Sequence, residues 1–204
     1  MALWGVDLGG TKIEGVILNA PEDPTVILRE RIPTEADQGY RHILSRIKLL
    51  LEALETKSGL SYEKIGFGTP GTEDPASGLM KNCNTTALNG KPLRSDLMQM
   101  LGVPVQVAND ANCLALAESK MGIVPEICPN AEVVFGVILG TGVGGGLVVH
   151  NQIIRGRHGI GGEWGHNYLD DSGGLCYCGK TGCVERVLSG KNLERWYLET
   201  YGEK

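Results

Sequence analysis

A pattern of strand, glycine-threonine turn and strand occurs twice in the chain, and it restricts the fold more than any other feature. The first copy covers residues 3–18 around a turn at residues 8–12, and the second covers residues 133–150 around a turn at residues 140–144. Two such hairpins in similar positions of two halves predict two related α/β domains that face one nucleotide. We place these domains at residues 1–112 and 113–204.

Between the two hairpins, strand and helix signals mostly alternate. Apolar residues spaced three and four apart predict a helix that starts near Tyr40 and ends before Gly59. We expect further strands at residues 26–32, 65–68 and 103–108, a polar loop at 69–89, and helices at 93–101 and 110–121.

The composition excludes several classes of function. A net charge of -5 without a run of Lys or Arg gives no electrostatic footprint for DNA or RNA. The longest apolar runs, such as Val133–Leu139, have the length of a strand, and the first ten residues do not resemble a secretory signal. We therefore expect a small-molecule partner, no membrane association and a cytoplasmic protein.

The glycine turns are candidates for phosphate binding. Gly9 and Gly10 let an anion approach the backbone without a Cβ, and Thr11 and Lys12 add a hydroxyl and a positive charge. An ordinary tight hairpin is the alternative. Asp7 favours phosphate, because an acid beside a phosphate site can hold hydrated Mg²⁺.

The second turn, which contains Thr141 and Gly142, has the same two interpretations. Two turns of one design favour phosphate binding. Neither turn matches the Walker pattern.

Asn109 and Asp110 lie where a predicted strand ends and a predicted helix begins, a frequent ligand position in α/β proteins. A carboxylate at this point could accept the proton of a sugar hydroxyl as the oxygen attacks phosphorus. The helix N-terminus would keep Asp110 ionised. The alternative is that Asp110 only caps the helix.

Four residues in a glycine-rich segment have the composition of a closed zinc site: His166, Cys176, Cys178 and Cys183. One imidazole and three thiolates complete a tetrahedral set, so no position is left for a catalytic water and the site is expected to be structural. The alternative is that the thiols are free. Glu163 and Glu185 flank the cluster and could accept hydrogen bonds from sugar hydroxyls. The alternative is that each is a solvated surface acid.

Five segments, in order, resemble the ROK family of sugar kinases and repressors. These are residues 7–12 (DLGGTK), 109–112 (NDAN), 139–146 (LGTGVGGG), 162–166 (GEWGH) and 176–183 (CYCGKTGC). The resemblance covers residues 2 to about 190. It implies an α/β, actin-like (ribonuclease-H-like) ATPase fold with a sugar cleft between two α/β domains, and it implies a homodimer.

The resemblance also implies roles for individual residues. Asp110 would be the catalytic base, and the hexose would be held by Gly71, Asn84, Asn109, Asp110, Glu163, His166 and Glu185. The ATP phosphates would be bound by Asp7, Gly9, Gly10, Thr11, Lys12, Thr141 and Gly142, with Mg²⁺ near Asp7. His166 would serve both zinc and sugar.

Within the family, residues 81–90, 108–115 and 162–167 look most like bacterial manno(fructo)kinases, which implies phosphorylation of fructose or mannose at the 6-position. N-acetylglucosamine or glucose kinases are the alternative, since the former share residues 90–94. The repressors carry a helix-turn-helix before the motif that begins here at Asp7, so we expect no DNA binding. The chain stops about a third short of the family's length, so the C-terminal part is apparently missing. A non-catalytic sugar-binding regulator and an inactive truncated fragment stay open as alternatives.

Overall fold

The protein is described from a computed structural model that covers residues 1–202. The chain divides into two compact units, Met1–Asp110 (unit 1) and Ala111–Lys204 (unit 2), and each is described by itself. The last two residues of the predicted second domain, 203 and 204, lie outside the described residues.

Unit 1 is an α/β unit that opens with the first predicted hairpin. Its strands are β1 (Leu3–Leu8), β2 (Lys12–Ala20), β3 (Asp23–Pro33), β4 (Ile65–Thr69), β5 (Thr72–Glu73), β6 (Met80–Lys81) and β7 (Val105–Asn109). Its helices are α1 (Tyr40–Ser58) and α2 (Leu93–Leu101), with short 3₁₀ turns at Ala36–Gln38 and Thr86–Leu88.

The main sheet of unit 1 has the strand order β3-β2-β1-β4-β7. Strands β1, β2 and β3 pair antiparallel, whereas β1, β4 and β7 run parallel. The carboxyl ends of these three parallel strands therefore meet at one edge of the sheet.

Large apolar side chains form the core of unit 1. Helix α1 buries Ile43, Ile47, Leu50, Leu51 and Leu54, the face that the three-and-four spacing predicts, and it ends at Gly59 in the left-handed conformation. Phe67 on β4 is 2% exposed. At Gly15 on β2, an added Cβ would lie against Leu54, so glycine lets α1 pack closely on the sheet.

Unit 2 contains the second hairpin and a C-terminal loop region. Its strands are β8 (Val133–Leu139), β9 (Val143–Val149) and β10 (Gln152–Ile153), in the order β10-β9-β8. Its helices are α3 (Asp110–Lys120), which starts at the last residue of unit 1, α4 (Val124–Ile127), α5 (Val184–Leu188) and α6 (Gly190–Tyr201), with a 3₁₀ turn at Asp171–Gly173.

Small residues allow helix α3 and the sheet of unit 2 to pack closely against each other. A Cβ on Gly136 of β8 would lie 2.8 Å from the Cβ of Ala115 on α3, and a Cβ on Gly146 of β9 would run into the backbone of Ala111. Glycines on two adjacent strands therefore let α3 lie directly on the sheet. On the other face of β8, Val133, Phe135, Val137 and Leu139 are exposed.

The predicted elements up to residue 150 are found, with small shifts at their ends. The predicted loop at 69–89 contains the short β5-β6 hairpin and a 3₁₀ turn, which are too short to produce a periodic signal. Strand β9 begins at Val143 rather than at Gly146, because three of its residues are glycines that resemble turn residues in sequence. Helices α4, α5 and α6 and strand β10 were not predicted. No helix in residues 1–202 is long and apolar enough to cross a membrane.

Candidate functional site

The parallel strands of unit 1 bring several of the predicted residues to one sheet edge. Asp7 on β1 lies beside Gly68 on β4, and Thr69 at the end of β4 lies beside Asn109 at the end of β7. The turn after β1, the turn at Gly71 and Asp110 all follow directly from these strand ends. Parallel pairing thus collects residues that are more than a hundred positions apart in sequence.

The first glycine turn is held in shape by hydrogen bonds that its backbone carbonyls accept. Gly9 N donates to Lys12 O over 3.0 Å, Thr34 Oγ1 donates to Gly9 O over 2.7 Å, and Thr34 N donates to Thr11 O over 3.0 Å. Within the described residues, the backbone amides of Gly10 and Thr11 donate no hydrogen bond, and both residues are exposed. Two adjacent amides open to solvent are the donors that a phosphate needs.

Two carboxylates stand close to this turn. Partial desolvation raises the pKa of the Asp7 carboxyl, although the residue as a whole is exposed, and the charge of Asp110 raises it further, whereas Arg31 and Lys12 lower it. Asp7 and Asp110 are therefore near enough to interact. A pair of acids at a phosphate turn is an arrangement that a cation stabilises.

The segment with Gly71 and Asn84 packs into a compact loop. A Cβ on Gly71 would lie 2.5 Å from Cys83 Sγ, so only glycine fits. Asn89 fixes the loop on both sides of Cys83, accepting from Cys83 N at 2.9 Å and donating to Cys83 O at 3.1 Å. Asn84 is exposed, and the next residue, Thr85, is buried.

The second glycine turn, in unit 2, is hydrogen-bonded to Glu185, one of the residues predicted to bind the sugar. Gly140 N donates to Gly142 O over 2.9 Å, which closes the turn between β8 and β9. Glu185 Oε2 accepts from Val143 N at 2.9 Å, and a Cβ on Gly142 would lie 2.5 Å from the same oxygen. The carboxylate of Glu185 thus braces the turn that carries Thr141.

The four predicted metal ligands come together in unit 2. Their ligand atoms all lie within 4.8 Å of one another. Cys178 Sγ and Cys183 Sγ are 3.5 Å apart, and Cys176 Sγ is 3.6 Å from His166 Nδ1. Tetrahedral zinc with bonds of about 2.3 Å places its ligand atoms about 3.8 Å apart, so the set fits that ion.

Tight turns make this clustering possible. Gly179 and Gly182 have φ values of 85° and 75°, a conformation that glycine adopts without strain. Gly179 N donates to Cys176 O over 2.9 Å and closes the turn that carries Cys178. Burial raises the pKa of the Cys183 thiol, and neighbouring Cys178 contributes, whereas a backbone hydrogen bond from Lys180 lowers the pKa of the Cys178 thiol.

The imidazole of His166 faces two partners. Nδ1 faces Cys176, and Nε2 lies 3.1 Å from the hydroxyl of Tyr177. The Tyr177 phenol also interacts with Glu185. Desolvation of the phenol and then the charge of that carboxylate raise the pKa of Tyr177, although the residue as a whole is 78% exposed. Tyr177 therefore links the cluster to the residue that braces the second turn.

The predicted residues thus form two groups, one in each unit. Unit 1 contains Asp7, Gly9, Gly10, Thr11, Lys12, Gly71, Asn84, Asn109 and Asp110, and unit 2 contains Thr141, Gly142, Glu163, His166, Glu185 and the three cysteines. Glu163 is exposed and precedes Trp164, whose Nε1 donates to Gly144 O over 2.8 Å. Sequence reasoning missed Thr34, Thr85 and Tyr177, because a lone Thr or Tyr carries no local pattern.

Three comparisons with known proteins identify relatives. The model of the ROK family matches residues 3–203. The N-acetyl-D-glucosamine kinase of Vibrio vulnificus strain YJ016 is 39% identical, over 98% of this chain and 67% of that protein.

Two solved structures share the fold. The ROK hexokinase of Thermus thermophilus is 33% identical with a TM-score of 0.81, covering 100% of this chain and 65% of that one. A ROK family glucokinase from Streptomyces griseus, in complex with glucose and AMPPNP, is 29% identical with a TM-score of 0.80, covering 99% and 62%. The predicted actin-like α/β fold is confirmed, and the chain spans about two thirds of the length of these relatives.

Proposed function

The chain belongs to the ROK family, and from this premise we propose that it takes part in ATP-dependent phosphorylation of a hexose. The observation that carries the proposal is the sheet edge of unit 1, where two carboxylates interact beside a turn with two open amides. Phosphoryl transfer requires a phosphate cradle and a base for the acceptor hydroxyl at one place. A regulator that only binds sugar needs neither the cradle nor a second acid.

Asp110 is the proposed general base. Its carboxylate would accept the proton of the sugar hydroxyl while that oxygen forms a bond to the γ-phosphorus of ATP and the bond to ADP breaks. The position at the end of β7 and the start of α3 supports this role, because the helix N-terminus favours the ionised form. Asn109, the preceding residue, is 9% exposed and would orient the sugar.

The glycine turns are the proposed phosphate cradle. The open amides of Gly10 and Thr11, with the Thr11 hydroxyl and the Lys12 ammonium, would hold phosphate oxygens, and Gly9 shapes the turn. Thr141 and Gly142 would contribute from unit 2. Asp7 would hold Mg²⁺, which when bound neutralises charge on the phosphates.

The remaining predicted contacts concern the sugar and zinc. Gly71, Asn84, Glu163, His166 and Glu185 would hold sugar hydroxyls. His166 would serve the sugar through Nε2, which in this structure lies 3.1 Å from the Tyr177 hydroxyl, and the metal through Nδ1. Zinc held by His166 and the three cysteines would stabilise the loop without entering the reaction, because a closed tetrahedral set has no open position.

The relatives favour N-acetylglucosamine as the hexose over fructose or mannose. The Vibrio vulnificus enzyme, at 39% identity, bears that sugar in its name, whereas the fructose and mannose prediction rests on short motifs and is not confirmed. A single hydroxyl or methylene changes discrimination by only about 1 to 3 kcal/mol, so small shifts of the sugar ligands decide the substrate. A homodimer and a cytoplasmic location also stay predictions.

Coupled ADP release tests this proposal. The chain would be assayed with ATP, Mg²⁺ and, in turn, N-acetylglucosamine, fructose, mannose, glucose and N-acetylmannosamine. A version extended to the length of its relatives would be assayed in parallel. Turnover that depends on N-acetylglucosamine in either version supports the proposal, and turnover by the extended version alone identifies the 204-residue chain as an inactive fragment. Sugar binding without turnover in both would leave the regulator as the function.

A further inference from the structure

The hydroxyl of Thr85 is not accounted for by the proposed site. Thr85 is 6% exposed, and within the described residues its Oγ1 makes no hydrogen bond. A buried hydroxyl without a partner is unfavourable, because it has lost its bonds to water and gained none. Such a group in a native fold requires a reason.

The hydroxyl lies directly behind the first glycine turn. A Cβ on Gly10 would be 3.0 Å from Thr85 Oγ1, so the absence of a side chain at Gly10 brings the backbone of the turn against this oxygen. The other carbonyls of the turn are already used, since Thr34 donates to Gly9 O and to Thr11 O. Within residues 1–202, the carbonyl of Gly10 accepts no hydrogen bond.

The geometry of the peptide bond connects these two groups. In a trans peptide the C=O of Gly10 and the N–H of Thr11 point in opposite directions, and the described chain has no cis peptide. When the Thr11 N–H points at a phosphate, the Gly10 carbonyl therefore points away from that phosphate. Thr85 Oγ1 lies beside this peptide, 3.0 Å from the point that a Cβ on Gly10 would occupy.

We propose that Thr85 is a positioning residue of the phosphate turn, whose hydroxyl donates to the Gly10 carbonyl when the turn holds the phosphates of a nucleotide. The inference rests on the proposed function. Phosphate binding and the satisfaction of the Thr85 hydroxyl then occur together, so this residue adds to phosphate affinity without touching the ligand. The ligand-free fold does not depend on the hydroxyl, because there it has no partner.

The test is Thr85→Val in the full chain, which removes the hydroxyl and keeps the shape. The ligands are inorganic tripolyphosphate and AMPPNP, each with Mg²⁺, titrated by calorimetry. We expect binding to weaken about 3- to 10-fold, as for one lost hydrogen bond, with a melting temperature of the ligand-free protein that is unchanged or higher. Thr85→Ser should restore parent affinity, and Thr86→Val, at the exposed neighbour, should bind like the parent.

The outcomes separate this inference from the function on which it rests. If the parent binds neither ligand, the phosphate role of the turn fails and Thr85 loses its role with it. If the parent binds and Thr85→Val binds equally well, only the inference about Thr85 is overturned. It is also overturned if Thr85→Val melts well below the parent without ligand, since the hydroxyl would then support the fold itself.

Discussion

Unit 1 and unit 2 each contain an antiparallel hairpin around a glycine-threonine turn, but different kinds of atoms are buried behind the two hairpins. In unit 1, large apolar side chains such as Phe67, Ile47 and Leu54 form one cluster under the sheet. Within residues 111–202, no leucine, isoleucine, methionine or aromatic side chain is buried. The buried apolar residues there are Ala111, Ala115, Val143, Val148, Val184 and two cysteines.

From this difference we expect that one local design is stabilised in two ways. Burial of large side chains is worth about 1.5 to 3 kcal/mol each, which suffices for unit 1. Unit 2 buries no large side chain of this kind within residues 111–202, and instead it brings one imidazole and three thiols close together. We therefore expect unit 2 to depend on a metal and unit 1 to depend on its core.

The largest expected effect is the loss of the proposed metal ligand Cys178 by Cys178→Ser. Structural zinc sites contribute about 10 to 16 kcal/mol of apparent binding energy, so the variant should lose its zinc and the loop at residues 166–183 should unfold. Elemental analysis should find one zinc per parent chain, and hydrogen exchange should show lost protection in unit 2 only. Cys128→Ser, at an exposed cysteine outside the cluster, is the control. A metal-free parent with an ordered loop would contradict this account of unit 2.

Loss of one carboxylate of unit 1, that of Asp110, should lower the rate of catalysis without lowering the stability of unit 1. Asp110→Asn should lower kcat by about 10²- to 10⁴-fold, the usual range for a lost general base, while sugar binding stays nearly intact. Steady-state ADP release and sugar titration, in whichever chain length turns over, measure both quantities. Asp37→Asn, at an exposed position that the proposed site does not include, should behave like the parent. Turnover of Asp110→Asn near the parent rate rules out the proposed base.

Replacing each of the two phenylalanines of the chain compares the two sheets directly, because one lies in each sheet. Phe67→Ala should lower the free energy of unfolding of unit 1 by about 3 to 5 kcal/mol, because the side chain is 2% exposed. Phe135→Ala should cost about 1 kcal/mol or less, because Phe135 is 47% exposed and its ring meets Trp164 edge-on at a centroid distance of 6.1 Å. Urea denaturation followed by hydrogen exchange gives the two values separately. Equal costs would show that the outer face of β8 is buried in solution.

The smallest expected effect is a change in the pH dependence of the stability of unit 1, caused by Asp7. Because the pKa of Asp7 is raised in the folded state, its ionised form is unfavourable there, and stability falls as the pH rises through the unfolded and then the folded pKa. Asp7→Asn should therefore raise the melting temperature slightly near neutral pH and not under acidic conditions.

Asp23→Asn is the matched control, with the opposite sign. Hydrogen bonds from Thr25 and Asn19 lower the pKa of Asp23, so its contribution is present above the unfolded pKa and is lost in acid. Its replacement should lower the melting temperature near neutral pH. If both variants shift the melting temperature in the same direction, desolvation is not what sets the pKa of Asp7.

Much of the fold could be predicted from the sequence because its signals are local. The spacing of apolar residues from Tyr40 onwards locates α1, and the run Val133–Leu139 is a strand at the predicted bounds. Helix α5 has only five residues, too few to show an apolar period. Helix α6 does have one, with Leu193, Trp196, Tyr197 and Tyr201 at spacings of three and four, so this helix was predictable and was missed. The metal set could be named because its ligand types are rare and three of the four lie within eight positions.

The sequence by itself determined the two glycine turns, the cluster of metal ligands and the family, since each depends on residue types at short spacing. The tertiary structure decided which distant groups meet. Parallel pairing of β1, β4 and β7 brings Asp7 within electrostatic reach of Asp110, and the loop after β6 places Thr85 behind Gly10. The hydrogen bond from Val143 to Glu185 likewise joins residues far apart in the chain. Contacts of this kind arise from strand order and loop packing, which no local pattern of residues encodes.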